Sequence, residues 1–101
     1  MASHANLPAG GAQLAATIDR ATRRATLRPL LAARDADLVV EGQLRLLGQE
    51  GVDRVVVLLD LGRATDGVFA PALLRHGLVP RALIPDAAGD LLLERTRPPA
   101  T

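Results

Sequence analysis

The sequence predicts an α/β (α+β) domain: a small mixed sheet of about three strands backed by two or three helices, in the order α-α-β-α-β-β. Three observations carry that prediction. The chain has 101 residues, 49% hydrophobic and 23% charged, the balance of one ordinary globular domain. Apolar residues recur at helical spacing through the first half. The second half holds a Val-rich run, a short helical stretch and two extended segments around a turn, which reads as strand, crossover helix and hairpin. The single domain is expected over residues 9–96, after a flexible arm at 1–8 and before a Pro-rich tail at 97–101.

Each element has its own warrant. Leu14, Ile18, Ala21 and Ala25 repeat at spacings of four, three and four, and with high Ala content they predict a first helix over 12–24. Residues 26–33 read as a short helical turn or extended linker, because Pro29 suits a helix's first turn or an edge strand. A second helix is expected over 36–49. Asp35 would be its N-cap, Ala36, Val39 or Val40, Leu44 and Leu47 its apolar side, and Gly51 its stop. The segment 53–61 holds an unbroken, Val-rich apolar run from Val55 to Leu59, the pattern of a strand covered on both faces. Thr65, Asp66 and Gly67 read as a turn before a short helix over 68–76, with Pro71 in its first turn and Gly77 as terminator. Residues 78–84 and 90–95 form a hairpin around a turn at 85–89, with Pro80 marking an edge or a bulge. So few strands leave free edges, and pairing with another chain is expected.

Composition excludes much chemistry. There is no Cys, Trp or Tyr, so disulfides, Cys-based zinc sites and thiolate nucleophiles are absent. Every basic residue is Arg, which removes Schiff-base chemistry and the Walker A motif. Ser3 is the only Ser, which disfavours a serine triad, and two His (His4 and His76) cannot make a three-His metal site. One aromatic, Phe69, cannot build a stacking platform for single-stranded nucleic acid, and a net charge of +1 also disfavours nucleic-acid partners. No apolar run nears the roughly 20 residues of a membrane span, and no secretory signal is visible. A cytoplasmic location is expected. Arg without Lys, with Ala and Leu in excess, is what a GC-rich bacterial genome produces. Their helical spacing would place Arg20, Arg24 and Arg28 on one face, a solvated stripe or an anion patch.

The run VDRVVVLLDL, the helix ending LLRHGL and the hairpin VPRALIPDAAGDLLLER resemble the C-terminal portion of the GNAT acetyltransferase fold. Gly77-Leu78 stands where that family usually has a Gly-Phe step. LPAGGA at 7–12 looks like the end of its acyl-CoA loop, where Gly residues open a helix. The resemblance implies acetyl-CoA or another acyl-CoA as cofactor. Gly10, Gly11 and Ala12 would hold its pyrophosphate on unpaired helix amides, with Arg20 or Arg24 nearby and Asp60 as the available base. The family's Tyr acid has no counterpart, and its N-terminal half would come from another chain.

Other candidate residues stand on their own positions. Asp60 ends the strongest strand, where open α/β sheets place ligands; it serves equally as a turn former or as a partner of Arg63. His76 precedes the helix stop, where an imidazolium would complement the dipole. Asp86 and Asp90 flank the hairpin loop as turn formers or cation ligands, and Glu41 is expected on a solvated face. Scarce catalytic side chains and free strand edges predict a non-catalytic association module without cofactor, either a homodimer or an accessory subunit. The alternative is a GNAT-related acyl-CoA-binding partial domain.

Overall fold

A computed structural model describes residues 7–60, 62–84 and 90–96. They form β1 (Gln13–Asp19), β2 (Arg24–Leu31), α1 (Ala36–Gln49), β3 (Arg54–Asp60), α2 (Ala64–Arg75), β4 (Val79–Ile84) and β5 (Asp90–Thr96). The arm at 1–6, the turn at 85–89 with Asp86, and the tail at 97–101 lie outside the described residues, as do the side chains of Ile84 and Asp90. The strands make one five-stranded mixed sheet in the order β1-β2-β3-β5-β4. This corrects the expectation of about three strands in the order α-α-β-α-β-β: the observed order is β-β-α-β-α-β-β.

The correction lies in the first 31 residues. Residues 12–24 are β1 and a turn, not a helix. Leu14, Ala16 and Ile18 also alternate with period two, and they lie opposite Pro29, Leu27 and Ala25 of antiparallel β2. Ala propensity is a weak prior that strand pairing overrides. The reversal is built by Asp19, whose Oδ1 accepts hydrogen bonds from Ala21 N at 3.0 Å and Thr22 N at 3.4 Å, an Asx-type turn. Arg23 completes it in the left-handed region at φ 54°. The segment 26–33, read as a turn or linker, is mostly β2. Pro29 is tolerated because β2 pairs with β3 only over Arg24–Leu27, so no ladder bond to β3 is asked of its missing N–H.

Downstream, helix ends and strand positions follow local chemistry. α1 and α2 both close with a glycine in the left-handed region, Gly51 at φ 80° and Gly77 at φ 88°. Val52 N donates to Leu47 O and Leu78 N to Leu73 O, while Gly51 N donates to Gly48 O and Gly77 N to Leu74 O. That is the Schellman pattern, and buried Val52 and Leu78 supply its apolar contact. α2 starts at Ala64, so the expected turn at Thr65-Asp66-Gly67 is the helix's first turn and Pro71 is interior. Burial of Phe69, Ala72 and Leu73 outweighs the proline's lost bond.

Both helices pack against the face that carries Leu14, Ala25, Leu27, Val55, Val57, Leu59 and Leu93, and these belong to one core cluster with Val40 and Phe69. β5 inserts antiparallel between β3 and β4. No described helix is long and apolar enough to cross a membrane.

Candidate functional site: the open face of the sheet

The residues singled out by sequence do not converge. Gly10, Gly11 and Ala12 lead into β1, a strand, so the helix that was to present their amides is absent. Two of those amides are also occupied: Asp35 accepts from Gly11 N through Oδ2 at 3.1 Å and from Ala12 N through Oδ1 at 3.0 Å. Asp35 does hold the N-cap position of α1, but it makes no side-chain cap bond there. Its carboxylate ties the entry of β1 to the entry of α1. Asp35→Ala should therefore destabilise by about 1–3 kcal/mol, the cost of two backbone donors losing a charged acceptor, read by denaturant unfolding. Asp35→Asn should lose less.

Arg20 lies in the β1–β2 turn and pairs with Glu50 at 3.2 Å. Arg24 begins β2. Both sit at the far end of β1 from Gly10–Ala12, about 20 Å away at about 3.3 Å per residue. Asp60 is half-buried at the end of β3, and its Oδ1 accepts from Gly62 N at 2.9 Å, so it forms the turn. His76 is the C-cap residue of α2, and its Nε2 stands 3.4 Å from Asp37 Oδ1. Arg75 donates to the same oxygen at 3.0 Å from Nε. Asp37 at the start of α1 and Arg75 at the end of α2 thus pair while each complements its own helix dipole. Twelve residues of α2 hold Asp60 and His76 about 18 Å apart, too far to act on one substrate. Glu41 is exposed and pairs with Arg45 at 3.1 Å. Among the described residues no group of three His, Cys, Asp or Glu could hold a metal ion.

Asp66, read from sequence only as part of a turn, is a buried carboxylate whose role sequence reasoning missed. It is 2% exposed, and its Oδ2 accepts from Asp60 N at 2.7 Å. Oδ1 has no hydrogen bond and faces Arg63 Nε at 3.8 Å. A detectable signal was present: an acidic residue in the first turn of a helix is favoured by the dipole, which places the helix start before Asp66.

The feature with the clearest functional meaning is the sheet's second face. β3 reads as a strand covered on both faces, yet only Val55, Val57 and Leu59 are buried; Val56 and Leu58 stay half-buried on the side opposite the helices. In register beside them are Thr26 on β2 and Leu92 on β5, with Ala82 of β4 beyond Leu92. No described helix covers this patch. Its border is charged. Glu94, with its side chain 12% exposed, accepts from Arg54 Nε at 2.6 Å and pairs with Arg81 Nε at 3.6 Å, so one carboxylate on β5 links β3 and β4. Arg24, Arg28 and Asp19 continue the border across β2 and β1. At the sheet edge Val79 and Leu83 of β4 are 43% and 66% exposed.

Among proteins already characterised, no protein-family model, no curated protein and no solved structure matches this chain.

Proposed function

We propose that this chain is a non-catalytic α/β association module that works as a homodimer, its two copies meeting through the open face of the sheet. The observation that supports this is β3. A continuous apolar strand is the pattern of a sheet covered on both sides, and only one side is covered. Five strands about 4.8 Å apart and about seven residues long present roughly 550 Å² in projection, the scale of a small two-fold interface at about 600–1,000 Å² per partner. The border suits a second copy: Arg24 and Arg28 are balanced by Asp19 and Asp60 on the same face, so a two-fold axis can set opposite charges together. Docking as an accessory subunit beside a larger chain would use the same face.

Native mass spectrometry over a micromolar concentration series tests the reading. A two-chain mass is expected for the natural sequence. Leu58→Asp should weaken the dimer at least about 30-fold, since a central interface residue carries about 2–4 kcal/mol. Leu38→Asp, on a residue 68% exposed on α1, should leave it unchanged. A natural sequence that stays monomeric throughout overturns the homodimer.

A second reading, a GNAT-related acyl-CoA-binding partial domain completed by another chain, has one observation in its favour. Pairing between parallel β2 and β3 ends at Leu27 and Val57, short of the strands' C-terminal ends, where α/β sheets bind ligands. The occupied amides of Gly11 and Ala12 weigh against it. Millimolar acetyl-CoA that raises the melting temperature would favour this reading; an unchanged melting temperature removes it.

A further inference from the structure

Two adjoining cavities open on the helix side of the sheet, between α1 and β5. The first has a volume of about 160 Å³, and its wall includes Leu44, Leu47, Gly48, Val52 and Val55. The second, about 290 Å³, is lined by Glu41, Leu44, Arg45, His76 and Arg95. Leu44, Arg45 and Arg95 line both, so the two form one cleft with an apolar slot and a cationic mouth.

Arg95 is the unexplained group. It lies on β5 opposite Val55, on the face that otherwise holds the core, and it is half-buried. Among the described residues its guanidinium has no carboxylate or carbonyl partner. Partial burial removes water from a cation, and that cost persists unless an acceptor is supplied. The nearby carboxylates are engaged: Glu41 with Arg45, and Asp53, which also lines the slot, with Arg23 at 3.5 Å. His76 turns its Nε2 toward Asp37, leaving the ring as part of the wall.

We propose that this cleft binds a small carboxylic acid with a hydrocarbon tail. The carboxylate accepts from two of the guanidinium N–H groups of Arg95 in the bidentate geometry that Arg favours, with Arg45 alongside. The tail enters the slot between α1 and β3. A space of about 150 Å³ holds a six-carbon ring, so a tail of about six carbons fills the 160 Å³ slot. The site is separate from the open face and does not depend on dimer formation.

Titration of the full chain with hexanoate, followed by backbone amide shifts, tests the site. Saturable shifts are expected at Leu44, Gly48, Val52 and Arg95, with hexan-1-ol at least tenfold weaker because it lacks the carboxylate. Arg95→Gln should weaken hexanoate at least tenfold. Gly48→Leu should abolish binding by filling the slot; a side chain at Gly48 starts in open space and favours the helix, so this variant stays folded even if Arg95→Gln does not. Leu58→Asp should bind hexanoate as the natural chain does, which separates this site from the association reading. Unsaturable shifts, equal affinity for hexan-1-ol, or full binding by Gly48→Leu would each overturn the proposal.

Discussion

Phe69→Ala should lower the unfolding free energy by about 3–5 kcal/mol, the usual cost of emptying a fully buried aromatic position. Phe69 is 0% exposed and joins the cluster of Leu27, Leu59, Leu73, Leu78 and Leu93 between α2 and the sheet. A domain of this size holds only about 5–15 kcal/mol in all, so this one change removes a large share. At roughly 4–8 °C per kcal/mol the melting temperature should fall by about 12 °C or more. Leu74→Ala is the control, since Leu74 lies on the same helix at 51% exposure and should cost under about 0.5 kcal/mol. Equal losses in the two variants would mean that α2 does not pack as described.

Asp66→Ala is the second. Its carboxylate is the acceptor for Asp60 N at 2.7 Å, at the point where β3 ends and the chain turns into α2. Truncation leaves that N–H without a partner in a partly buried site, at a cost of about 1–3 kcal/mol. The ion pair to Arg63 adds little, since it is long at 3.8 Å and the arginine is 46% exposed. Asp66→Asn keeps an acceptor for Asp60 N and relieves a buried charge, so it should retain most of the stability in chemical denaturation. If Asn is as damaging as Ala, the carboxylate's charge outweighs its hydrogen bond and the assignment fails.

The two changes probe parts of the molecule that were unequally legible. α1, at Ala36–Gln49, was readable because its signals are local: an acidic residue at its start, apolar residues at helical spacing and Gly51 at its end. β3, β4 and β5 were readable for similar reasons, a Val-rich run and two extended segments around a turn. Phe69 was legible as the only aromatic, though not as the centre of the core. The hairpin of β1 and β2 was hidden, because Leu14, Ile18, Ala21 and Ala25 fit a helix while Leu14, Ala16 and Ile18 fit a strand equally well. Only the arrival of β2 alongside decides between them.

The candidate sites divide in the same way. Asp60 as a turn former was readable from its position, since an Asp that ends a strand before Gly62 bonds its own backbone. Asp35 was placed at the right point in the chain, but its partners, Gly11 and Ala12, lie 24 and 23 residues away and belong to a strand whose existence was not foreseen. The link between Asp66 and Asp60 could not be read, because nothing in a turn-like Thr-Asp-Gly says that its carboxylate folds inward.

From the residues alone came the chemistry this chain cannot perform through Cys, Lys or Tyr, the two glycine-terminated helix ends and the strand, helix and hairpin of the second half. All of these depend on side-chain inventory or on neighbours within a few positions. Tertiary structure alone decided that residues 13–31 pair as strands, that β5 enters between β3 and β4, and that both helices cover the same face. Those outcomes are set by contacts between residues far apart in sequence, whose free energy exceeds the few tenths of a kcal/mol by which Ala or Leu prefers one backbone conformation to another. The open face, with Val56, Leu58 and Leu92 in register, follows from that arrangement.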